Sequence, residues 1–141
     1  MSAIRYDSET GRPLPIPNPT TQAYFDAARE HRLQLPKCPR DGFFWYPRSR
    51  CPECYRDDWE WAPASGRGEV HAFTVDRIGH DPALGPHTPL PIAVVELEEG
   101  PRMTANLVGI EPDDVKVGLP VSVVFEDVDE HTLVHFEPRA D

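Results

Sequence analysis

Three cysteines and one aspartate hold the spacing in this chain best suited to chemistry. Cys51 and Cys54 frame a Cys-x-x-Cys turn, and upstream Cys38 is followed three positions later by Asp41. Two such turns separated by about ten to twenty residues aim four donors at one point, the arrangement of a tetrahedral zinc site. Asp41 stands where a thiolate is usual, and its oxygen can still ligate zinc. Gly42 suits the tight, left-handed turn that such a knuckle needs, and Pro52 stiffens the second one. Two other readings fit the same residues. One is three free thiols packed against Phe43, Phe44, Trp45 and Tyr46; the other is a disulfide, Cys51 to Cys54 or Cys38 to Cys51. The odd cysteine and the lack of a secretory signal rank the disulfide last. A closed four-ligand site would be structural, with no position left for a nucleophilic water.

The elements that must position these residues are short. With 141 residues the chain is one ordinary domain or two small modules. Its 17 prolines and 9 glycines, against 39% hydrophobic residues, point to a loop-rich, mainly β protein. No apolar run is long enough to span a bilayer, and the expected location is the cytoplasm. The formal charge of −10 disfavours a polyanionic partner. The basic residues Arg29, Arg32, Lys37, Arg40, Arg48 and Arg50 nevertheless gather around the knuckles, where they could face an anionic ligand or simply be solvated.

Residues 1–19 are polar and proline-rich and should run extended, either docked or mobile. Asn18 or Thr20 can cap a helix over roughly Thr21 to Leu33, with Tyr24, Ala28 and His31 on one face and Phe25 beside them. Trp59 and Trp61 then lead to a turn at Ser65–Gly68. Strand patterns follow at Glu69–Arg77, Leu90–Leu97, Arg102–Val108, Val117–Asp127 and Thr132–Glu137, with one helical turn near Pro112–Val115. Five strands with a small helical element between the third and fourth match an OB-fold barrel. The Ile78–Pro89 loop is irregular and is either functional or disordered.

These stretches together resemble the small acyl-CoA-associated proteins known as domain of unknown function 35. The matching residues are Asn18-Pro19-Thr20, Tyr46-Pro47-Arg48, Cys51-Pro52-Glu53-Cys54, and Trp61 through Ser65-Gly66-Arg67-Gly68. Further on they are Glu99-Gly100-Pro101-Arg102, Asn106-Leu107-Val108, Val117-Gly118-Leu119-Pro120-Val121 and Val124-Phe125-Glu126. The resemblance implies an N-terminal segment and helix over 1–34, a rubredoxin-like zinc ribbon over 35–60 and a C-terminal OB-fold over 61–141. It also implies a structural zinc, carried onto Cys38, Cys51 and Cys54, with Asp41 departing from the four-cysteine pattern. The implied role is that of a non-catalytic accessory subunit of a thiolase-fold enzyme: a thiolase, an acyltransferase or a steroid side-chain retro-aldolase. In such a hetero-oligomer, Arg102, Arg48, Phe44, Trp45 and Tyr46 are the expected CoA or partner contacts.

No Ser/His/Asp elbow, phosphate loop or paired carboxylates point to catalysis by this chain. His71, His80, His87, His131 and His135 are scattered, and only His80 and His87 lie in a loop that could reach a neighbouring active site. Arg102 could meet a CoA phosphate or pair with a nearby carboxylate. The rival functions are a single-stranded nucleic-acid binder and a free-standing acyl-CoA-binding protein. Residues 90–137 hold only Arg102 and Lys116 as basic residues, which weighs against the first.

Overall fold

The computed structural model describes residues 5–140; what was expected of residues 1–4 lies outside it. The N-terminal arm is docked. Its two short strands, β1 (Arg5–Tyr6) and β2 (Pro13–Leu14), pair antiparallel around a turn built on Asp7. The buried Asp7 carboxylate accepts the Glu9 N–H at 3.0 Å and the Thr10 hydroxyl. Ser8 fastens the arm by donating its N–H and hydroxyl to Asp129 at 2.9 and 2.8 Å, and Leu14 is buried beneath it.

Helix α1 (Gln22–Arg29) is shorter than the expected Thr21–Leu33. His31 takes a left-handed conformation (φ 58°), and the N–H groups of His31 and Arg32 return to the carbonyls of Ala28 and Ala27. This double return bond terminates a helix, and no pattern of apolar spacing reveals it. Neither Asn18 nor Thr20 is the N-cap. Thr21 occupies that position without a side-chain capping bond, its hydroxyl turned to Asn18, while Asn18 Oδ1 accepts the Thr20 and Thr21 N–H groups one turn earlier. Tyr24, Ala27 and Ala28 form the buried face.

Strand β3 (Gln34–Cys38) is the centre of a three-stranded sheet, flanked by β4 (Gly42–Phe43) and β5 (Glu60–Pro63). Because β5 spans positions 60 and 61, the ribbon sheet runs directly into the barrel through the Ala64–Gly66 turn. Gly66 is required there: its φ is +79°, and an added Cβ would lie 2.4 Å from Val123 Cγ1.

The barrel comprises β6 (Arg67–Asp76), β7 (Leu90–Leu97), β8 (Arg102–Asn106), β9 (Pro120–Val128) and β10 (His131–Pro138). Their order is β10-β9-β6-β7-β8, and a parallel bridge between Leu107 and Phe136 brings the two ends together. Strict alternation along β7 buries Pro91, Ala93, Val95 and Leu97, which join Val70, Met103, Val121 and Phe136 in the core. Tyr24, Leu33 and Leu35 cap that same core from the helix and ribbon. β9 begins at Pro120 rather than Val117, because Val117 is exposed and Gly118 turns back to donate its N–H to Val70. The helical turn expected before it is a 3-10 turn at Pro112–Asp114. The loop after β6 is ordered by its own acceptors: Asp76 receives the N–H groups of Ile78 and Gly79, and Asp81 that of Ala83.

Candidate metal centre and barrel cleft

The end of β3 delivers Cys38, and the β3–β4 turn, with Gly42 at φ +82°, swings Asp41 back towards it. The second knuckle is closed by two backbone bonds, Tyr55 N–H to Cys51 O and Cys51 N–H to Arg56 O. Tyr55 takes the left-handed conformation just after Cys54. Ligand atoms of Cys38, Asp41, Cys51 and Cys54 all lie within 4.8 Å of one another. Cys38 Sγ is 3.6 Å from Cys54 Sγ and 3.7 Å from Asp41 Oδ2, and Cys51 Sγ is 3.5 Å from the same oxygen. A tetrahedral zinc with sulfur at about 2.3 Å and oxygen near 2.0 Å sets edges of roughly 3.5–3.8 Å, so the donor set fits that ion. All three cysteines are unpaired, which removes the disulfide reading.

Without an ion, the donors of the cluster hold one another. The Cys54 thiol holds Asp41 below the usual carboxylate range, and Asp41 in turn pushes Cys54 up to about 12. One carboxylate thus pins a thiol proton that a dication would expel. Phe44 and Trp59 wall the cluster, packing edge to face at 5.6 Å.

The other expected site residues are not gathered into one site. Phe44 is buried inside the ribbon, whereas Trp45 leans on Tyr24 and Tyr46 is 52% exposed. Arg48 folds back onto the Tyr46 carbonyl at 3.1 Å. Arg102 lies 3.5 Å from Glu96, the carboxylate pairing rather than a free guanidinium.

Sequence reasoning missed a cleft of about 700 Å³ where the arm, α1, the ribbon and the barrel meet. Tyr24, Phe25, Trp45 and Tyr46 line one side and Val124, Leu133 and Val134 another, with Leu84 and His87 reaching in from the long loop. On its wall Arg12 donates to Glu126 Oε2 at 3.1 Å, and His135 Nε2 lies 2.8 Å from Glu126 Oε1. Burial raises the Glu126 carboxyl, but the bonds from Arg12 and His135 outweigh it and the net shift is downward. No local motif signals this trio, since Arg12 and Glu126 are 114 positions apart.

Known proteins share this organisation. Residues 25–60 match the family description "ChsH2, rubredoxin-like zinc ribbon domain", and residues 61–126 match "ChsH2, C-terminal OB-fold domain". The chain is 36% identical over 90% of its length to a Thermomonospora curvata protein named "Probable enoyl-CoA hydratase alpha subunit". It is 32% identical over 84% of its length to the Mycobacterium tuberculosis 3-oxo-4,17-pregnadiene-20-carboxyl-CoA hydratase alpha subunit. The chain spans only 40% and 37% of those two relatives. A Pyrococcus furiosus DUF35 domain-containing scaffold protein is 32% identical over 81% of this chain and 80% of its own length. Among solved structures, a chain of the Ltp2-ChsH2(DUF35) aldolase superposes with a TM-score of 0.79 at 35% identity. That match covers 89% of this chain and 98% of the other. A Sulfolobus solfataricus DUF35 protein shares the fold at a TM-score of 0.62 and 17% identity. The ribbon match and the converging donor set together identify the cofactor as a structural zinc ion. Ribbon, barrel and relatives therefore agree, and the chain belongs to the DUF35 family, in its ChsH2-like form of a rubredoxin-like zinc ribbon joined to an OB-fold.

Proposed function

We propose that this chain is a non-catalytic accessory subunit that docks on a thiolase-fold enzyme in the cytoplasm and supports its handling of an acyl-CoA. The observation that carries this reading is the likeness to the chain of the Ltp2-ChsH2(DUF35) aldolase, which extends over both modules. Three charged or titratable side chains of low exposure serve structural pairings: Asp7 holds a turn, and His135 and Arg12 hold Glu126. No described helix is long and apolar enough to cross a membrane. In this reading Cys38, Asp41, Cys51 and Cys54 hold the zinc, which keeps the ribbon rigid and supplies no open coordination position. Trp45 and Tyr46, which line the cleft, and Arg48, folded onto the Tyr46 carbonyl, are the partner contacts. Phe44 contributes indirectly by fixing their backbone, and the side chain of Arg102 is held towards Glu96.

The test is a tagged purification from the native host, with mass spectrometry and metal analysis of one eluate. The expected result is a thiolase-fold protein near one to one with this chain, with one zinc per chain. Thioester turnover by the chain alone, or its elution without such a protein, overturns the proposal.

A further inference from the structure

Among the described residues the barrel is closed by a single bridge. β8 and β10 meet at the Leu107–Phe136 bridge, where Val108 N–H donates to Phe136 O at 2.9 Å. Elsewhere among the described residues these two strands are unpaired, and the cleft occupies the gap, lined by Thr104 on one edge and Thr132 and Val134 on the other.

Ladder alternation fixes which backbone groups face that gap. Leu107 N–H donates to Pro91 O on the β7 side, so Ala105 and Met103 face β7 and Thr104 turns its N–H and C=O into the cleft. Phe136 O faces β8, so Val134 and Thr132, spaced by two along the same strand, turn their backbone groups the same way. Thr104 and Val134 thus turn backbone donors and acceptors that no neighbouring strand takes up towards one largely apolar cleft, whereas Thr132 is buried against α1. The cleft's charged lining residues, Arg12 and Glu126, neutralise each other.

We propose that this seam takes an extended, uncharged segment of the partner polypeptide, which pairs with Thr104 on one edge and with Val134 on the other. The proposal rests on the accessory-subunit reading above. A purely apolar molecule would cover both edges and leave their amides unsatisfied, whereas an extended chain satisfies them on both sides. About four residues at roughly 3.3 Å each span the paired positions. A charged segment would enter without a free counter-charge, against a chain of net charge −10.

The experiment is hydrogen exchange, read amide by amide by mass spectrometry, on the isolated full chain, the chain with acetyl-CoA, and the purified complex. Thr104 and Val134 should exchange freely in the first two and slow by about tenfold or more in the third. Thr104→Pro removes one seam-facing N–H at a position that does not donate to β7. It should weaken partner binding about tenfold while Thr104→Ala does not, with zinc content and Val95 protection showing that the variants fold. If no partner co-purifies, the accessory-subunit reading itself falls. If a partner binds and these amides still exchange freely, only the seam proposal is overturned. Protection in the isolated chain, or on adding acetyl-CoA alone, also overturns it, by making the occupant the chain itself or a small ligand.

Discussion

Asp41 is the exposed member of a cluster whose Cys38 and Cys51 are buried, so the carboxylate closes the site from the solvent side. Removing it should cost more than removing a neighbour that merely orients a ligand, a change worth about tenfold to a hundredfold in metal affinity. Asp41→Ala is therefore expected to weaken zinc binding by at least about tenfold, and Asp41→Cys to retain it. Competition against a chromogenic chelator measures both, and equal affinity of Asp41→Ala and the parent chain would remove Asp41 from the ligand set. This cluster was legible in the sequence because each knuckle is local and its turn residues, Gly42 and Pro52, are specific. The Arg12–Glu126–His135 trio was not, because tertiary folding alone brings its members together.

Element boundaries were legible where burial alternates and lost where backbone geometry decides. β7 falls on Leu90–Leu97 as its period implies, whereas α1 ends early on the left-handed His31. The arm shows the same limit: its prolines predict an extended run, and only the fold shows that Asp7 holds its turn while Ser8 and Arg12 tie it to the β9–β10 hairpin. That tie is pH-dependent. Asp7 is held below its ordinary 3.8, chiefly by the Thr10 hydroxyl, and Glu126 below its ordinary 4.5. Groups lowered in the folded state contribute stability that is fully present above those ordinary values and is lost as pH falls through the lowered ones. Protection of the Asp7 and Gly11 amides, which close the arm turn, should therefore hold at neutral pH and vanish on acidification before the Val95 amide is exposed. Simultaneous loss of both would show that the arm has no separate acid response.

The whole molecule is an acidic body whose barrel carries few basic residues, and this weighs against the nucleic-acid reading. Fluorescence anisotropy with a single-stranded oligonucleotide should show no tight binding even at low salt; steeply salt-dependent binding would revive the nucleic-acid reading. The strand set and ribbon could be read from the sequence because each has its own period or spacing. The seam could not, since it depends on two strands failing to pair. That failure has a consequence for supply. A sheet with two open edges is a template for unscheduled pairing, so chains made in excess of whatever covers those edges would aggregate or be degraded. Matched synthesis of the two components, rather than affinity alone, would then set how much of this protein a cell can keep.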